Sequence, residues 1–447
     1  MTRACGIALT ALLSLAACGE SGSDDTPDRA DASAGKSGSG SGGKSGTAGK
    51  GGAGGSGASS GSGGGIGSGG SAGSNAGSGG NAGSGGSLGN AGSGGSLGNA
   101  GNAGSGGSAG KGGGAGSAGT AGGAGTGGSS STGLRVQGNR LLGPDGKPFH
   151  GRGANLHDTR SCNACTYLDP DVQGLNRWAD QLIDGWHANF IRFDLEAYPD
   201  DAGYRKQWKR LIDDPVYLAD VKTAVAHMTS KPGVYVMVTV FIDPSMKDNL
   251  SGYDAEWPTA GTLPVYRALA EAFYANPKVL FGLTNEPQGP VERNPELLQR
   301  YLDSIDAIRA VERSHAAAEH VIVVQAPQSW ARFLDWFVTN PIQRTNIAYE
   351  VHVYNPQSDY DRMITQPAKT LPILIGEYGP SGMTNADTQA LWTLCKSLEI
   401  PHIAWNFHHR CPPNMLVDTN SCGLEASYTF GRTAWGDMFR TYLATPW

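Results

Sequence analysis

Three absences narrow what this chain can be. It has no basic stripe: 34 Lys and Arg stand against 40 Asp and Glu, a net charge of −6 over 447 residues. Nothing is left to neutralise a run of phosphates, which argues against nucleic-acid binding. Beyond its N-terminus it has no apolar run long enough to cross a bilayer. No glycine-rich phosphate turn follows any strand-like segment, as a dinucleotide-binding sheet would need. Aromatic residues are also nearly missing from the first third, where the 69 glycines crowd.

That first third divides in two. Arg3 followed by an apolar stretch, 7–15, reads as an export signal over 1–17, and Leu15-Ala16-Ala17-Cys18 reads as a lipobox. Cys18 is then the lipidation site, the sole contact with a membrane, on a protein facing the cell exterior or periplasm. The alternative is a plain signal peptide that happens to contain a cysteine. Residues 18–133 are Gly, Ser, Ala and Asn with little to bury, so a disordered tether is expected. As a glycine-rich coil of about 115 residues it would average roughly 55–65 Å end to end.

From 134 to 447 the composition is that of one globular domain, expected to be a monomer. Gly-Asn and Asp-Gly breaks at 138–139 and 145–146 predict small hairpins at its start. Apolar strand candidates follow at 149–156, 189–194, 234–242, 279–285, 321–325, 348–354, 373–376 and 403–407. Helical periodicity fills the intervals at 175–185, 215–229, 263–274, 296–312, 331–338, 358–366, 387–398 and 432–443. Eight strands that each precede a helix predict a (β/α)₈ TIM barrel, with an open doubly wound sheet as the alternative.

Chemistry in such a barrel gathers where the strands end. Here those ends are polar: Arg192 and Asp194 on the second, Asn285-Glu286-Pro287 on the fourth, His352 and Tyr354 on the sixth, Gly376-Glu377 on the seventh, Trp405 on the eighth. With Gly151-Arg152-Gly153-Ala154-Asn155 on the first strand, this order resembles glycoside hydrolase family 5, the cellulase-type family. The resemblance implies a retaining hydrolase acting on a polysaccharide or oligosaccharide, with no metal or cofactor. Glu286 becomes the general acid/base and Glu377 the nucleophile. The physical demand agrees, because two carboxylates must flank the scissile bond, one protonated and one ionised.

Around that pair, Arg192 and Tyr354 are expected to hold Glu377, with His352 and Asn285 beside Glu286 or the sugar. Trp405 offers an apolar face to a pyranose ring. Asn155 belongs to the supporting set, and Trp208, Trp257 and Trp330 are candidate sugar platforms. Trp186 reads as packing. The family's histidine near the end of the third strand is missing, and Asp243 is the candidate to take over its hydrogen bond. His408-His409 is rejected as a zinc pair, on the expectation that neighbours on a strand point opposite ways.

Endo-cleavage of β-1,4-glucan is the leading activity. The alternatives are β-mannan, exo-action as a β-glucosidase, and a catalytically silent carbohydrate-binding lipoprotein. Among the cysteines, Cys395 reads as a buried free thiol. Cys162, Cys165, Cys411 and Cys422 flank the first and eighth strands, either as two local disulfides or as two crosslinks between those loops. A four-thiolate metal site is the third choice.

Overall fold

The computed structural model describes residues 133–160, 170–197, 209–246, 249–250, 253–254, 256–327, 329–418 and 425–447. The expectations for 1–132, Trp208, Cys162, Cys165 and Cys422 fall outside these residues.

Eight parallel strands close on themselves. They are β1 (Arg152–His157), β2 (Phe190–Glu196), β3 (Tyr235–Ile242), β4 (Val279–Gly282), β5 (Ile322–Gln325), β6 (Ile347–Val353), β7 (Ile373–Tyr378) and β8 (His402–Ala404). Sheet order follows chain order, and β8 returns to β1 through the pairs His402↔Arg152, Ile403↔Gly153 and Ala404↔Ala154. Closure excludes the open sheet and makes the fold a TIM barrel.

The helical layer contains α1 (Val172–Asp180), α2 (Pro215–Ser230), α3 (Leu263–Phe273), α4 (Asn294–Ser314), α5 (Asp335–Thr339), α6 (Asn385–Leu398) and α7 (Ala434–Leu443). Side chains satisfy several exposed N-termini: Asp171 caps α1, Asp214 caps α2, Thr433 caps α7, and Thr384 with Asp387 forms a capping box on α6. Two expected helices come out differently. That at 331–338 shrinks to α5, because Ser329, Trp330 and Ala331 take φ of 52°, 59° and 56°, incompatible with a right-handed helix. That at 358–366 becomes three short turns, Gln357–Asp359, Asp361–Thr365 and Pro367–Lys369.

Two large cores hold most of the apolar residues, and a small third cluster joins Phe241, Trp405 and Cys411. One fills the space between barrel and helices, with Trp186, Phe193, Phe281, Tyr301 and Phe407 among its largest members. The other plugs the barrel's N-terminal end. There an antiparallel hairpin (Arg135–Gln137 with Arg140–Leu142, turning at Gly138) sets Leu141 beside Leu134 and Phe149, against Phe190, Met237, Leu280 and Leu374 from the strands. Above this plug the buried interior turns polar, with Asn155, Arg192, Asp194, Gln325, Glu350, His352 and Glu377. No described helix is long and apolar enough to cross a membrane.

Candidate active site

Alternate residues of a strand face the same side, so a polar residue at every second position marks a polar lining. On β2 these are Arg192, Asp194 and Glu196; on β6 and its exit they are Glu350, His352 and Tyr354. Arg192 is wholly buried at the centre. Its Nη1 donates to Glu377 Oε1 (2.9 Å) and Asn155 Oδ1 (2.8 Å), and its Nη2 to Asn285 Oδ1 (2.8 Å). Its Nε lies 3.1 Å from Glu350 Oε1, and Asp194 Oδ1 is 3.3 Å from Nη1. Burial works against the cation, but Asp194, Glu350 and Glu377 outweigh it and raise the Arg192 pKa.

Glu377 is thus met by donors on both oxygens, since Tyr354 Oη donates to Oε2 at 2.9 Å. Its carboxyl pKa is raised by burial, against the pull of His352 and Arg192. Glu286 has a different setting. Its backbone takes φ of 42° just past β4, its N–H donates to Gln325 Oε1 (2.6 Å), and 20% of its side chain stays exposed, against 6% for Glu377. One ligand-type atom each from Glu286, His352 and Glu377 lies within 4.8 Å of the others. Carboxyl oxygens that close match the roughly 5–5.5 Å separation of retaining glycosidases, and fall short of the roughly 6.5–9.5 Å of inverting ones.

His352 stands between three carboxylates. Nδ1 lies 2.8 Å from Glu286 Oε1 and 3.5 Å from Glu377 Oε2, and Nε2 lies 3.0 Å from Glu350 Oε1. Burial disfavours its charge, but Glu377, Glu286 and Glu350 outweigh it and raise the pKa to about 10. An imidazolium donates from both nitrogens. With His352 in that state, Glu286, His352 and Glu377 are joined by contacts between opposite charges.

The remaining candidates are distributed as follows. Asn155 Nδ2 ties the carbonyls of Gly376 (3.0 Å) and Ala404 (3.1 Å), fixing β7 and β8 beneath the pair. Trp405 follows β8 and packs with Phe241 and Cys411, flanked by Tyr354. Trp330 is half-buried on the turn after β5.

Asp243, the candidate for the missing third-strand histidine's hydrogen bond, is held through its Oδ1. It accepts from Arg210 Nε (3.0 Å), Ser245 N (2.9 Å) and Ser245 Oγ (2.6 Å), which makes it the anchor of its own loop. Phe241 lines that side, stacked on Trp405 at 5.9 Å, with the Arg192 guanidinium 5.4 Å from its ring centre. Trp257 is no platform: it is fully buried, its Nε1 donates to Gln288 O (2.6 Å), and Arg293 covers its ring. Trp186 is buried packing, as expected.

The ground given for rejecting His408-His409 fails, because the pair lies past β8 and its rings stack at 4.7 Å. What occupies His408 is a hydrogen bond from Arg410 N to its Nδ1 (2.9 Å). Cys395 is a buried free thiol, and Cys411 is disulfide-bonded while its three candidate partners lie outside the described residues.

Glu350, Gln325 and Phe241 were not among the candidates. The two-residue alternation Glu350, His352, Tyr354 was a readable signal for the first. For Gln325, buried at the end of a short apolar strand, polarity in an otherwise apolar run was the only cue. Phe241 carried none.

The family model described as Cellulase (glycosyl hydrolase family 5) matches residues 143–410. Endoglucanase N of Pectobacterium atrosepticum is 24% identical over 251 residues, which is 56% of this chain and 50% of that protein. Endoglucanase CelA of Streptomyces lividans is 20% identical over 327 residues, 70% of this chain and 64% of that one. The chain thus spans about half the length of the first relative and just under two thirds of the second. Among solved structures, the catalytic domain of Thermobifida fusca endoglucanase Cel5A superposes with a TM-score of 0.54 at 18% identity, covering 70% of this chain and 98% of that one. A β-glucanase from Saccharophagus degradans in complex with cellotetraose gives 0.51 at 21%, covering 70% and 92%. These two likenesses speak to the fold.

Proposed function

The chain belongs to glycosyl hydrolase family 5, and we propose that it is a retaining, endo-acting β-glycanase whose substrate is β-1,4-glucan. The observation that carries this reading is the pair Glu286 and Glu377, within 4.8 Å in unlike surroundings. Glu377 attacks the anomeric carbon as the bond to the leaving oxygen breaks, and that oxygen takes its proton from Glu286. A water then attacks the same carbon, gives a proton to Glu286 and releases Glu377.

Arg192 and Tyr354 orient Glu377 for attack along hydrogen bonds of 2.9 Å each. His352 orients Glu286 from 2.8 Å. Trp405 and Trp330 supply aromatic faces for sugar rings on the barrel's mouth. The names of the relatives above favour glucan over mannan. Parallel assays on carboxymethylcellulose, glucomannan, laminarin and xylan, with product sizes recorded, test substrate and mode. Near-normal hydrolysis of a fluorogenic cellobioside by Glu377→Ala would refute the assignment. Glycan binding without turnover across the whole panel would favour a non-catalytic binder.

The same reading extends to where the enzyme works. Cys18 carries a lipid, 19–133 serves as a spacer, and the barrel acts as an exported monomer. Activity that partitions into detergent in the wild type, and into the aqueous phase in Cys18→Ser, is the expected result. Equal partitioning of the two would remove the anchor.

A further inference from the structure

A line of buried polar groups runs from β2 to the residue after β8, outside the cluster around the two glutamates. Glu196 Oε1 is hydrogen-bonded to His157 Nδ1, and both side chains are buried. His157 Nε2 lies 2.9 Å from the Asn406 amide. With the amide oxygen turned toward His157, the same oxygen also accepts from the Trp405 indole N–H (3.2 Å), and the amide nitrogen donates to Cys411 O (3.1 Å). The opposite orientation sets the amide N–H₂ against the indole N–H and the amide oxygen against a carbonyl, so it loses both bonds.

The chain of donors has one sense. Nδ1 of His157 is committed to Glu196, so Nε2 donates to Asn406 when the ring carries both protons. Glu196 and Asp194 from β2 and Asp158 just past β1 favour that charge, while the His408 ring stands 4.9 Å away past β8. Burial opposes the cation, but these carboxylates outweigh it and the His157 pKa is raised. On its other side the Trp405 ring meets Phe241, stacked at 5.9 Å with 26° between the planes. His157 also meets this ring edge-on at 5.2 Å and Cys411 packs against it; within that confined space the bond to its N–H fixes the angle the ring takes.

We propose that Glu196, His157 and Asn406 are positioning residues that fix the Trp405 indole through its N–H, and thereby hold the ring against which a sugar packs. This rests on the reading of Trp405 as a sugar-binding ring. None of the three reaches the two glutamates, so their effect is expected on sugar binding more than on bond breaking.

The test uses the full chain and two readouts. Among the ten tryptophans, the indole N–H resonance of Trp405 is assigned by its loss in Trp405→Phe. It is expected to move in Asn406→Ala and in Glu196→Gln, in variants that melt cooperatively as the wild type does. On cellotetraose, Asn406→Ala keeps the Trp405 ring and removes the acceptor of its N–H, so KM is expected to rise about fivefold, the effect of one hydrogen bond, with kcat little changed. Adding Asn406→Ala to Trp405→Phe should then raise KM no further, since both remove the same bond.

An unmoved indole resonance in folded Glu196→Gln, or additive effects on KM, would overturn the relay. Where Asn406→Ala fails to fold, Glu196→Gln and Trp405→Phe decide the matter alone. A wild type that cleaves no glycan would overturn the proposed function, and the indole resonance would still decide the relay.

Discussion

Glu350 Oε1 lies 3.0 Å from His352 Nε2, on the edge of the ring opposite the contact with Glu286. The same oxygen lies 3.1 Å from Arg192 Nε. One fully buried carboxylate therefore meets both cations that orient the two glutamates. Glu350→Gln is expected to lower kcat/KM roughly 10²-fold with KM little changed, because it loosens the alignment of both reacting carboxyls. It also removes one of the charges that raise His352 to about 10. The His352 pKa should fall, and the alkaline limb of the pH–rate profile should move to lower pH. An unchanged alkaline limb would show that Glu350 does not act through His352.

Gly376 makes room for this arrangement. A Cβ there would overlap the Glu350 carboxylate. Gly376→Ala should destabilise the fold by about 1–3 kcal/mol through overpacking. It should also lower kcat, because Glu350 must move off its two partners. Thermal melting and steady-state kinetics on one preparation check both effects.

The spacing of Glu286 and Glu377 fixes a stereochemical outcome. The first product formed from a β-glycan should carry its new reducing end in the β configuration and then mutarotate, since two successive inversions restore the starting one. Proton NMR of the anomeric signals in the first minutes of reaction reads this directly. An α-anomer appearing first would require a water to attack between the sugar and a carboxylate, which goes with a separation of roughly 6.5–9.5 Å and not with one within 4.8 Å.

Acid should weaken the fold through His402. Burial lowers its pKa from 6.5 to about 4, and it accepts from Tyr442 Oη at 2.7 Å when its Nδ1–H donates to Ile400 O. Between those two values the unfolded chain binds the extra proton and the folded one does not. Stability therefore falls as pH drops from 6.5 to 4, with a slope approaching ~1.4 kcal/mol per pH unit. Asp158 works the other way: burial raises it to about 7, so its contribution falls as pH rises from about 4 toward 7. The difference between wild type and His402→Gln isolates the first effect, and the variant's melting temperature should be the less acid-sensitive of the two.

The barrel was legible in the sequence because its signal is repetitive. Eight apolar runs at regular intervals survive errors of a few residues at each end. That Glu286 and Glu377 would be brought together was legible because they stand at strand ends beside distinctive neighbours, Asn285, Pro287 and Gly376. The failures have a common cause. Whether a polar side chain faces a ligand or a neighbour depends on contacts between segments far apart in the chain, such as the bond from Arg210 to Asp243 Oδ1. Trp257 illustrates the same limit, as only the packed structure shows Arg293 over its ring and Gln288 at its N–H. At Phe241 an apolar residue on an apolar strand gave no hint that it would face the mouth beside Arg192.

The cluster around His352 also has an electrical consequence for the proposed reaction. Arg192 and the His352 imidazolium carry two positive charges, and ionised Glu350 and Glu377 carry two negative ones, so with its proton in place Glu286 leaves the set neutral. Once that proton departs with the leaving oxygen, Glu286 becomes a charged carboxylate while Glu377 gives up its charge to the new bond, so the total charge of the set is unchanged. The sugar develops its positive charge in the same step. The negative charge thus passes from the nucleophile's side of the sugar ring to the leaving group's side, while Arg192 and His352 keep their positive ones.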